Sequence, residues 1–201
     1  MPPETWLSLI VGVGLAAACG FRVFVPLLVM SVAARAGHLD LAPGFAWIGS
    51  PAALVAFAAA TAVELLGYFI PYVDHLLDLL GAPAATAAGI LVSVSSFAGM
   101  SPFLRWTLAI IAGGGLAALV HGATGAARAA STLTTGGLGN PAVAAAEAGG
   151  AALLSVLAIA VPVAALGLLA ALVLVTWRFV SRSTKRGSAS SPTRIRPASM
   201  R

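Results

Sequence analysis

A helix needs about 20 consecutive apolar residues to cross the hydrocarbon core of a bilayer, and this chain of 201 residues offers runs of that kind repeatedly. They occupy residues 6–34, 50–73, 83–98, 103–127 and 141–177. Five runs predict an all-α, polytopic membrane helix bundle of about five transmembrane helices. Composition agrees, because 60% of the residues are apolar and 8% charged, with a mean hydropathy of +1.01, far from soluble domains. The third run is short and is parted from the fourth only by Gly99-Met100-Ser101-Pro102, a turn of helix breakers. It either spans or forms a re-entrant hairpin.

A net charge of +5 would suggest nucleic acid if it covered a folded surface, yet seven of the eleven Lys and Arg follow Trp177. Nucleic acid is therefore not an expected partner; the lipid bilayer is. Positively charged segments stay on the cytoplasmic side, so Arg178, Arg182, Lys185, Arg186, Arg194, Arg196 and Arg201 place the C-terminus inside. Five crossings then put the N-terminus outside, Arg35 and Arg105 inside, and Glu4, Asp74 and Asp78 outside, with Arg128 alone on the wrong side. Trp6, Trp47, Trp106 and Trp177 each stand at a run end, where an indole keeps its N–H wet. Residues 1–180 are read as the membrane domain. Residues 181–201, rich in Ser, Thr, Pro and Arg, are read as a disordered basic cytoplasmic tail. The first run lacks a basic leader and a cleavage site and is expected to remain in the mature chain. Cys19 is the single cysteine, which excludes an internal disulfide.

The two halves resemble one another. Gly14-Leu15-Ala16-Ala17-Ala18-Cys19-Gly20 is similar to Gly115-Leu116-Ala117-Ala118-Leu119-Val120-His121-Gly122, and Ser50-Pro51 with Pro71 is similar to Asn140-Pro141 with Pro162. Glu64 and Glu147 fall in corresponding helices. Repeat A at about 8–80 and repeat B at about 105–176 then form an inverted-topology repeat with Pro-interrupted helices, a plan that places a binding site at the repeat interface.

Charges at membrane depth either face a cavity or pair with an opposite charge. Arg22, Glu64 and Glu147 lie inside apolar runs, and Arg128 follows the fourth. The expectation is that Arg22 and Arg128 pair with the two glutamates, either around a polar cavity that binds solute or only to fix helix register. Asp74, His75 and Asp78 offer a divalent-metal position or, as plainly, a solvated helix entrance. His121 is a proton relay or a packing residue. The Ser/Thr/Gly stretch from Ser131 to Asn140 dips into the membrane, binds an anion or is an exposed loop. Small residues at 16 and 20, and at 118 and 122, have helix-packing spacing. No catalytic or nucleotide fingerprint is present, so neither an enzyme nor a cofactor is expected.

Three stretches together resemble an uncharacterised group of bacterial membrane proteins, domain of unknown function 4126: Gly14 to Arg22 with Pro26; Glu64 with Ile70-Pro71-Tyr72-Val73-Asp74; and Arg128 with Gly136-Gly137-Leu138-Gly139-Asn140-Pro141 and Glu147. The resemblance implies a multi-pass protein of the bacterial inner membrane whose shared polar positions are Arg22, Glu64, Asp74, Arg128, Asn140 and Glu147. It implies no activity, and Ala148 stands where the pattern often carries an acid. The expected function is a small-solute or ion transporter or channel, as a homo-oligomer, with Arg22, Glu64, Arg128, Asn140 and Glu147 at the substrate; the rival is a structural or assembly membrane protein.

Overall fold

The computed structural model describes residues 3–67, 71–171 and 174, the side chains of 71–79 excepted. Asp74, His75 and Asp78 therefore belong to a helix whose side chains lie outside the described residues. Among the described residues every regular element is helical: α1 (Pro3–Phe21), α2 (Phe24–Arg35), a 3-10 turn (Ala46–Gly49), α3 (Pro51–Gly67), α4 (Pro71–Ser96), α5 (Pro102–Leu108), a π-helical turn (Ala109–Gly114), α6 (Gly115–Thr135) and α7 (Asn140–Ala160). These fall in one compact unit, residues 1–166; in the second unit, from residue 167, residues 167–171 and 174 are helical.

Among the described residues three helices are long and apolar enough to cross a membrane: Pro3–Phe21, Pro102–Thr135 and Asn140–Ala160. Shorter apolar helices are Phe24–Arg35, Pro51–Gly67, Leu80–Ser96 and Pro162–Ala171. The second of the long helices joins α5 and α6 through the π turn, and its 34 residues extend about 50 Å at 1.5 Å per residue, well beyond a core of about 30 Å.

The first apolar run, expected to cross once, doubles back. Its helix stops at Phe21, Arg22 and Val23 are non-helical, and α2 starts at Phe24. Pro26 sits in the first turn of α2, where a missing N–H costs nothing. The start of α1 and the end of α2 then meet the same end of α4. Ala98 N donates to Ser8 Oγ (3.2 Å), a Cβ on Gly12 would strike Phe97, Ser95 Oγ lies 3.7 Å from Met30 Sδ, and Ala42 N donates to Ser95 O (2.7 Å). Trp106 reaches Phe45 at this end too, with ring centroids 6.4 Å apart. The expected placement of the N-terminus opposite Arg35 and Arg105 is thereby corrected: all three lie at one end.

A second correction follows. The matched stretches of α1 and α6 run in the same direction, since Ser93 touches both Gly12 and Gly113 while Gly20 touches Val120. The opposite orientation expected of a second copy is absent from this pair, because the fold-back after Phe21 adds a reversal of chain direction that the run lengths conceal.

Among the described residues the outer face is rich in large apolar side chains, while three charged residues lie inside. Arg22, Glu64 and Glu147 are buried, while Phe103, Ile111, Leu119 and Val163 face outward. Within, small residues let backbones meet: a Cβ on Gly89 would lie 2.7 Å from Gly113 O, and one on Gly20 2.7 Å from Ala117 O. That is the close packing membrane helices use in place of a hydrophobic driving force between them.

Candidate functional site

The break between α1 and α2 sets up the site. Starting a helix at Phe24 leaves N–H groups with no carbonyl one turn back, and with no water at membrane depth each needs a protein acceptor. Glu64, one turn from the end of α3, supplies both: Val23 N donates to Oε1 (2.8 Å) and Phe24 N to Oε2 (3.0 Å). A carboxylate at a helix N-terminus also meets the positive end of the helix dipole. The charge of Glu64 is thus held by the backbone of α2.

Arg22 occupies the same break, 2% exposed. Its Nη2 donates to Ala144 O of α7 (3.0 Å) and lies 3.3 Å from Glu147 Oε2. Arg128 approaches Glu147 from α6: Nε donates to Oε1 (2.9 Å) and Nη2 to Oε2. This is the two-pronged geometry a guanidinium makes with a carboxylate. Both arginines therefore converge on one glutamate, which corrects the expectation of two arginines sharing two glutamates. Glu64 and Glu147 are neighbours through the Arg22–Val23 break but do different work.

Arg128 precedes Thr135, the end of α6, by as many residues as Glu147 follows Asn140, the start of α7. The pair bridges the α6–α7 hairpin about 10 Å from its turn. Gly136 and Gly137 make that turn with φ of 63° and 90°, values that favour glycine. Asn140 Nδ2 donates to Thr132 Oγ1 (3.0 Å), and Thr132 donates to Arg128 O (3.0 Å), so Asn140 braces the hairpin beside the ion pair.

Between this hairpin and the Arg22 break is a cavity of about 780 Å³. Its hydrogen-bonding walls are Arg22, His121, Thr124, Arg128, Thr132 and Asn140. Of the two guanidinium groups, Arg128 is the more accessible, its side chain 15% exposed against 1% for Arg22. Among the predicted site residues, Arg22, Arg128 and Asn140 line this cavity, Glu147 ties the arginines from within the helix packing, and Glu64 fixes the adjacent break. Among the described residues no cluster of three His, Cys, Asp or Glu is placed to hold a metal; the expected Asp74, His75 and Asp78 lie outside that description.

Sequence reasoning missed Thr124 as a wall residue and reached Thr132 only as a member of the Ser/Thr/Gly stretch before Asn140. Their signal was present: 121, 124, 128 and 132 advance by three or four residues, which is one face of a helix. His121 is both wall and packing residue, because its ring abuts the backbone of Gly81, where a Cβ would lie 2.8 Å away.

A family model described as Domain of unknown function (DUF4126) matches residues 9–182. No curated protein and no solved structure matches the chain.

Proposed function

We propose, for a chain that belongs to the family of Domain of unknown function (DUF4126), that it is an integral membrane protein which holds a small polar solute or ion in the cavity beside Arg128 and passes it across the bilayer as a transporter or channel. The observation that carries this reading is the cavity of about 780 Å³ with guanidinium, imidazole, hydroxyl and amide groups on its walls, set among helices whose outer faces are Phe, Ile, Leu and Val. Pockets for small molecules fall in this size range and use a few placed polar groups. An ionised group buried in a membrane bundle is costly and marks a solute or ion path by default.

Orientation is part of the proposal. Trp6, Trp47 and Trp106 are each about half exposed, and Trp106 reaches Phe45 at the end of the bundle where Arg35 and Arg105 sit, the pattern of one membrane interface. Arg22 stands about 25 Å down α1 from Thr5, so the cavity lies towards the opposite interface. With the end that carries Arg35 and Arg105 cytoplasmic, as in a bacterial inner membrane, the cavity faces the external side. The bilayer is the protein's solvent and the chain performs no reaction. A homo-oligomer fits the outward-facing Gly115, whose Cβ position meets nothing.

The test is flux in liposomes. Gly125 lines the cavity, and a Cβ there meets nothing within 4 Å. Gly125→Leu therefore projects an isobutyl group into the cavity beside Arg128 and narrows the space open to solute. Solute flux is expected to fall at least tenfold with unchanged thermal stability. Equal flux in the variant and the parent would remove the cavity from the pathway and leave the buried charges as packing devices.

A further inference from the structure

Resting on the reading of this cavity as a solute site, we infer that its ligand is a small oxyanion, a solute bearing a carboxylate or phosphate group, and that Arg128 is the residue that grips it. The inference comes from the kind of group the walls display. Every charged residue among the described lining is an arginine, and the remaining polar walls are His121, Thr124, Thr132 and Asn140, each able to donate a hydrogen bond to an anionic oxygen. Glu147, a carboxylate that meets both arginines, is not among the lining residues. It meets the guanidinium groups from the α7 side and is 4% exposed.

The two arginines divide the work. Arg22, 1% exposed, ties Glu147 to the Ala144 carbonyl and is a positioning residue. Arg128 meets Glu147 with Nε and Nη2 and is the more accessible of the two. A planar fork recognises a second oxyanion in the same two-pronged way it recognises a glutamate, so an entering carboxylate or phosphate competes for the group that Glu147 already holds. Glu147 then serves as the internal substitute for the solute: it keeps the fork aimed when the cavity is empty and shares it when the cavity is filled. Such an exchange also gives solute and hairpin a common contact, because Arg128 and Glu147 stand on opposite arms of the α6–α7 turn. A cation or a neutral polyol gains none of these contacts.

The experiment uses the full chain, purified in non-ionic detergent for thermal shift and reconstituted in liposomes for tracer uptake, with succinate, inorganic phosphate, choline and glycerol as probes. Succinate or phosphate is expected to raise the unfolding midpoint and to be taken up, with choline and glycerol inert. Arg128→Lys keeps the charge that Glu147 requires but loses the fork, and it is expected to raise the half-saturating oxyanion concentration about tenfold or more. Gly125→Leu, which retains the Arg128 guanidinium, is expected to weaken the shift by narrowing the space beside it. Stabilisation or uptake by choline or glycerol at the level of the oxyanions would overturn the assignment while leaving transport standing. An oxyanion shift without uptake of any probe would uphold the assignment and sink transport. An oxyanion shift that survives both variants unchanged would overturn it too.

Discussion

Arg128 and Glu147 face one another across the α6–α7 hairpin, equally far from its turn, with two donors of the guanidinium on the two oxygens of the carboxylate. The pair therefore measures whether the arms of the hairpin are in register, since a slip of one residue moves a side chain by about 100° around the helix axis. Arg22 adds a third chain segment to the same carboxylate. Three helical passes, α1, α6 and α7, are thereby joined at one acidic residue.

Removing that residue's charge leaves two guanidinium groups facing a neutral amide. Breaking a buried pair by deleting one partner costs about 3–5 kcal/mol, because buried charge loses the counter-charge that offset its desolvation. Glu147→Gln is accordingly expected to lower thermal stability in detergent by that order. Glu147→Asp, with a shorter reach, should lose less. A Glu147→Gln protein with parental stability would show that the arginines find their counter-charge elsewhere.

Glu64 makes a different prediction, because its partners are backbone groups. In Glu64→Gln one oxygen still accepts from Val23 or Phe24, but the amide NH2 turns a donor towards the other donor. The loss is expected to be about 1–3 kcal/mol, the cost of an unsatisfied buried group, and it should localise to α2. Hydrogen exchange at Phe24 and Val25 is the measurement that checks it. Uniform destabilisation, with no faster exchange there, would contradict the capping role.

Much of this site was legible in the sequence because charge at membrane depth is conspicuous: Arg22, Glu64 and Glu147 stand out in apolar runs, and the structure brings all three to one region. The partnership was not legible. Which arginine meets which glutamate depends on the crossing of α6 over α7 and on the fold-back after Phe21, both tertiary facts. The fold-back itself was announced only by Pro26, a residue at home in a first helical turn, whereas Gly20-Phe21-Arg22-Val23 contains no turn pair. An unbroken apolar run of this length was read as one pass for that reason. The polar face of α6 was readable from its spacing, yet Ala and Gly between its members diluted the period.

Glycines divide into two groups whose substitutions should behave oppositely. Gly89 faces Gly113 and Ala117, and its added Cβ would lie 2.7 Å from a backbone oxygen, which cannot rotate away. Gly89→Ala is expected to push α4 from α6 and to lower stability by about 1–3 kcal/mol, as overpacking does. Gly122, also helical, meets nothing. Gly122→Ala gains helix propensity and should stabilise by up to about 1 kcal/mol. Paired thermal denaturation of the two variants checks the sign, and loss of stability at Gly122 would instead report a partner covering that face.

The fold-back sets a rule for which positions share a membrane face. His38, after α2, and Ser101, before α5, lie at the end of the bundle that also holds the start of α1, because Ala42 bonds to Ser95 and Ala98 bonds to Ser8. Leu138, in the α6–α7 turn and largely exposed, lies at the far end. Native Cys19 is buried, so single cysteines can be read against it. His38→Cys and Ser101→Cys are expected to react with a membrane-impermeant maleimide only after the cytoplasmic face is opened, and Leu138→Cys to react in intact cells. Had the first run crossed once, the N-terminus would part from His38; a cysteine replacing Glu4 tests that directly. Labelling of the position 4 cysteine together with Leu138→Cys, and apart from His38→Cys, would refute the doubled-back first run.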